Sequence, residues 1–139
     1  MKVNIGEYTH EDSERLIEIE IHDYDVWNLD HTLAMIILPC LKKLKEIKHG
    51  APNVEDQDVP AEIRKDQGIQ ETVPDPSATD DNFFERWDYV LDKMILAMEF
   101  IVEGKHMDFS DDIEEHEKTL KQVKEGTYLF GKYFNSLWD

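Results

Sequence analysis

Residues 83 to 104, FFERWDYVLDKMILAMEFIVEG, place Phe84, Trp87, Leu91, Met94, Met98 and Ile101 at intervals of 3, 4, 3, 4 and 3. A strand alternates every second residue, so this rhythm belongs to a helix with one apolar seam. Residues 111–137 repeat it through Ile113, His116, Leu120, Val123, Thr127, Phe130, Phe134 and Leu137. Two such helices joined by the short turn GKHMDFS predict an antiparallel helical hairpin.

The rest of the chain fits around that pair. KVNI and RLIEIEIHD alternate apolar and polar residues, with Val3 and Ile5, then Ile17, Ile19 and Ile21, on one side. They predict an antiparallel β-hairpin over 2–22 with one buried face, packed on the helices because a lone hairpin is marginal in water. A first helix follows over 30–49, capped by Asn28 or Asp30 and ended by basic residues and a left-handed Gly50. Its apolar face is Leu33, Ile36, Ile37, Cys40, Leu41, Leu44 and Ile47, and Pro39 predicts a kink. Residues 51–82 carry four of the five prolines and nine acidic residues without periodicity, apart from a helical turn starting at Pro60. They read as an acidic, proline-rich loop. The fold class is therefore α+β, a single domain of 139 residues.

Charge narrows the partners. With 32 acidic and 15 basic residues the net charge is −17. Repulsion opposes direct binding to nucleic-acid phosphates or anionic membranes, while a basic protein, a cation or mimicry of nucleic acid stays open. The one cysteine, Cys40, lies in the apolar run MIILPCLKKL and reads as a buried thiol rather than a nucleophile. No segment has the length of a membrane span or the pattern of a signal peptide, so the expected location is the cytoplasm.

Two constellations could carry chemistry. Glu85, Asp88, Asp92, Glu99 and Glu103 fall within an arc of roughly 60° beside the apolar seam of the second helix. Glu85 and Glu103 are roughly 27 Å apart along the axis, so one ion would use only a neighbouring pair, Asp88 with Asp92 or Glu99 with Glu103. ERWD resembles half of the acidic motif of all-α nucleoside triphosphate pyrophosphohydrolases, but the partner E-E-x-x-E element is missing. Asp88, Asp92 and Glu99 are the candidate ligands for magnesium or manganese on that reading, and a solvated helix face is the simpler account. The second constellation is cationic. Lys48, His49 and Arg86 are scarce positive groups, and with Trp27, Trp87 or Trp138 nearby they would hold a phosphorylated or aromatic ligand by charge and stacking, Trp87 being the one taken as the candidate. His116 could face Glu99 across the hairpin, but a histidine satisfied by a nearby carboxylate explains it as well. Gly126 and Gly131 within the third helix point to close approach of another backbone or a ligand.

The segments VWNLDHTLAMIILPCLKKLKEIKHGAPNVEDQDVP, RWDYVLDKMILAMEF and GTYLFGKYFNSLWD resemble a family of uncharacterised tailed-bacteriophage proteins. The resemblance covers most of the chain after about residue 20 and includes the opening MKVNIG; longer members of that family carry an insertion where this chain has EYTHEDSE. It implies a phage gene product made in the host bacterial cytoplasm and supplies no activity. The leading expectation is a non-catalytic accessory protein that binds a host protein or a small nucleotide-like ligand, with counter-defence as the biological setting. The alternatives are a metal-dependent nucleotide phosphohydrolase using the helix-borne carboxylates, a nucleic-acid mimic and a virion component. The surface also admits a homo-oligomer.

Overall fold

The computed structural model describes residues 1–8, 15–65, 79–107 and 112–138. Strands β1 (Lys2–Ile5) and β2 (Ile17–Glu20) form an antiparallel hairpin, followed by helices α1 (Leu29–Ile47), α2 (Phe83–Val102) and α3 (Ile113–Lys132). The α+β class and the α2–α3 hairpin expected from the sequence are both present. Short 3-10 turns link the elements: Asp23–Val26 before α1, Lys105–Met107 after α2 and Phe134–Ser136 after α3.

α2 is the central element, with α1 and α3 each packed along it. Its seam residues Trp87, Leu91, Met94, Met98 and Ile101 are all buried, while Phe84 in the first turn is half-exposed. Full burial of each large side chain contributes about 1.5–3 kcal/mol before entropy is counted. The seam of α3 is rotated from its expected place. Gly126, Leu129 and Tyr133 meet α2, whereas Ile113 and Phe134 are exposed. Gly126 explains the rotation: a Cβ there would collide with the Lys93 carbonyl oxygen and the Ala97 methyl. The backbones approach most closely at that point, and the 126–129–133 face must therefore point at α2. Gly131, by contrast, has open space around it.

Gly50 also differs from expectation. It is not left-handed; among the described residues only Gly104 has a positive φ, of 70°. Gly50 instead makes room for the Trp138 ring, which a Cβ would meet at 3.0 Å. α1 continues through Pro39, whose missing N–H removes one bond of the ladder.

The first part of the acidic loop is docked rather than loose. Val54 and Val59 are core residues, and 3-10 turns occupy Asp56–Asp58 and Ala61–Ile63, the second just after Pro60. Tyr133 donates its hydroxyl to Asp58 at 2.6 Å and accepts from the Glu55 amide at 3.0 Å. Lys132 bridges Glu55 and Asp58 at 2.7 and 2.6 Å. Burial works against the charged Lys132 ammonium, but its bonds to Asp58 and Glu55 outweigh this and raise its pKa well above the usual lysine value. Burial first, then the bond to Asp58, pushes the Tyr133 hydroxyl up to about 12. Residues 66–78 of the expected loop lie outside the described residues.

The hairpin departs most from expectation. Its register pairs Val3 with Ile19 and Ile5 with Ile17, so all four share a face as the alternation requires. That face is not buried: Ile17 is 62% and Ile19 57% exposed. The hairpin is held at its ends instead. The Met1 ammonium pairs with Asp25 at 2.6 Å, Asp25 accepts the His22 amide, and Thr32 of α1 donates to the Asp25 carbonyl oxygen. The ammonium bond, followed by the His22 amide, lowers the Asp25 pKa.

Candidate functional site

The carboxylates of α2 are built into the contact with α1. The two helices run antiparallel, and lysines three residues apart on α1 meet the acidic stripe in turn. Lys42 pairs with Glu99 at 2.7 Å, Lys45 with Asp92 at 2.5 Å and Lys48 with Asp88 at 2.7 Å. Each of the three expected metal ligands thus has its own ammonium. The spacing explains the order: each step of three residues turns the position by only about 60°, so 42, 45 and 48 stay on the side that faces α2. Glu103 pairs with Lys105 at 2.6 Å, and Glu85 is exposed. Among the described residues no three His, Cys, Asp or Glu side chains are gathered closely enough to hold a metal ion.

The cationic constellation is distributed in the same way, and this corrects the expectation that its members are offered to a ligand. Arg86 is 1% exposed and forks onto Asp80 at 2.8 and 3.0 Å, with a third bond to the Ile63 carbonyl oxygen. A buried guanidinium must be neutralised, and the two-pronged bond to Asp80 does this while fixing the start of α2 to the loop before it. Trp87 is fully buried with its ring edge-on to Tyr133, so it has no face left for stacking on a ligand. Lys48 is committed to Asp88, and His49 lies on the surface just past the end of α1. His116 is half-buried, and Glu99 is taken by Lys42.

Open surface is found elsewhere. Val3, Ile5, Ile17 and Ile19 present an apolar sheet face, and Ile21 continues it beyond β2. Tyr24 and Trp27 follow in the 3-10 turn and its cap, with ring centroids 5.3 Å apart and Trp27 79% exposed. The opposite side of the hairpin carries Lys2, Asn4, Glu18 and Glu20. Monomers rarely leave a contiguous apolar patch of this kind uncovered. A second open feature is a groove of about 210 Å³ between α1 and α3, lined by Ile36, Ile37, Cys40, Leu41, Leu44, Phe130 and Leu137. Cys40, expected to be buried, is exposed there, because α1 turns Ala34 and Leu41 rather than Cys40 toward α2.

Sequence reasoning missed the lysine partners of the carboxylates, although their spacing of three was a usable signal. It also missed the anchoring of the loop by Lys132 and Tyr133, for which no local signal exists. Comparison with known proteins finds no family model, no curated protein and no solved structure that matches this chain. No helix among the described residues is long and apolar enough to cross a membrane.

Proposed function

We propose that this chain is a non-catalytic accessory protein that binds another protein through its N-terminal hairpin and the aromatic turn behind it. The observation that carries the reading is the uncovered apolar face of Val3, Ile5, Ile17 and Ile19. A two-stranded sheet of four-residue strands has little stability of its own, and one exposing its apolar face gains stability when that face is covered. Both strands are also sheet edges, so a strand of the partner can add to either one by main-chain hydrogen bonds. Tyr24 and Trp27 supply large rigid anchors of the kind that dominate interface energies. The net charge of −17, with Glu18 and Glu20 on the hairpin itself, favours a partner of basic character and speeds its approach. The phage-family resemblance makes a bacterial host protein the expected partner and counter-defence the setting.

The nucleotide and metal readings fare less well on the geometry. Their cations and carboxylates neutralise one another, and opening that ladder for a ligand would break ion pairs between α1 and α2. Site-specific photo-crosslinking in bacterial cells tests the proposal. A photoreactive residue at Ile19 is expected to yield one discrete protein adduct, and the same residue at Lys121 on the exposed side of α3 to yield none. Absence of an adduct at Ile19, or equal labelling at both positions, contradicts it.

A further inference from the structure

The geometry points to the α1–α3 groove as a self-association surface, in which α1 of a second copy lies antiparallel against α1 about a two-fold axis at Cys40. This inference goes beyond the partner-binding hairpin and does not depend on it. α1 turns Ala34 and Leu41 into the core and leaves a second apolar stripe outside, with Leu33 42%, Ile36 37% and Ile47 45% exposed. Cys40 is exposed on the same stripe, and Phe130 of α3 and Leu137, just past the 3-10 turn that follows α3, form the opposite wall.

Three arguments select a second copy as the occupant. The stripe is palindromic: Leu33 and Ile47 lie seven residues either side of Cys40, and Ile36 and Leu44 lie four either side. Antiparallel pairing about Cys40 therefore sets Leu33 against Ile47 of the second copy and Ile36 against Leu44, the self-complementarity that a two-fold interface requires. Charge agrees. Lys42, Lys43 and Lys45 are each paired with a carboxylate, Glu99, Glu46 and Asp92 respectively, so this surface is locally near neutral although the whole chain is strongly negative. A basic partner gains nothing at this surface, and a second copy meets no local repulsion there. Area fits a weak self-contact. At roughly 60–100 Å² each, the exposed Leu33, Ile36, Cys40 and Ile47 offer on the order of 300 Å² per protomer, and the half-buried Leu44, Phe130 and Leu137 add less apiece. That falls well below the ~800 Å² of a standard interface and fits a weak, reversible dimer rather than an obligate one. The net charges of the two copies repel at long range, and salt screens them, so the dimer strengthens with ionic strength.

Sedimentation of the full chain at low and high salt, together with mild oxidation, tests this. The expected result is a reversible dimer with Kd near ~10 µM, tightening several-fold from about 0.05 to about 0.5 M salt. A disulfide-linked dimer through Cys40, the one cysteine, is expected on oxidation and is absent in Cys40→Ser. Ile36→Lys is expected to weaken association at least tenfold and to suppress the cross-link, whereas the pair Ile17→Lys and Ile19→Lys leaves both unchanged. A monomer at every concentration and salt overturns the proposal, as does a dimer that survives Ile36→Lys. A dimer lost in the hairpin variant overturns it too, since the contact would then lie in the sheet.

Discussion

Tyr133 shows how one side chain joins distant parts of the chain. It lies at the end of α3, packs edge-on against Trp87 of α2 and donates to Asp58 in the loop. Its hydroxyl holds its proton up to about 12 instead of the ordinary 10.0. Between those values the unfolded chain has released a proton that the folded chain keeps. The stabilisation is therefore complete below about pH 10 and is lost as pH rises toward about 12. Two units correspond to about 2–3 kcal/mol at most. Lys132, which shares Asp58 and is also raised, acts in the same direction above its usual 10.5. Urea unfolding between pH 8 and 12 is expected to show the midpoint falling across this window, and Tyr133→Phe to flatten part of the fall. An equally steep fall in Tyr133→Phe would remove Tyr133 from the account. None of this was legible in the sequence, because Asp58 and Tyr133 are 75 residues apart. The need for Gly126, in contrast, was legible: a glycine inside a helix costs stability unless something needs the space, and Ala97 and the Lys93 carbonyl take it.

At the scale of elements, periodicity identified α2 and α3 and most of the α2 core, because burial and the 3.6-residue repeat coincide there. The same repeat misjudged the rotation of α3. Hydrophobic spacing weighs every large apolar residue alike, whereas the closest helix contact is set by Gly126, the smallest residue. The hairpin register was legible too, but not the exposure of its face; alternation tells which residues share a side and nothing about what covers that side. The lysines that neutralise the acidic stripe lie near the end of a different helix, so the pattern of α2 alone carries no sign of them. Asp92→Asn tests the paired reading. Ion pairs this exposed contribute about 0.2–1 kcal/mol, so the variant is expected to lose less than ~1 kcal/mol of stability. Adding magnesium or manganese is expected to leave the melting temperature of both proteins unchanged. A stabilisation of the wild type that Asp92→Asn abolishes would restore the phosphohydrolase alternative.

The whole molecule divides its surface by chemistry. The helical body is closed by Arg86, Lys132 and the α1–α2 ladder, each cation set against carboxylates. Among the described residues, most of the exposed large apolar side chains lie between Val3 and Ile47, on the hairpin, the aromatic turn and the outer stripe of α1. A body built this way has its ion pairs inside its own framework and its apolar surface directed outward, which suits recognition of proteins better than chemistry on small anions. The most direct test is quantitative capture from bacterial lysate with immobilised protein. The account predicts a protein enriched by the wild type, lost with Ile17→Lys and Ile19→Lys together, and retained with Asp92→Asn. The same protein captured equally by the hairpin variant, or lost only with Asp92→Asn, would contradict it.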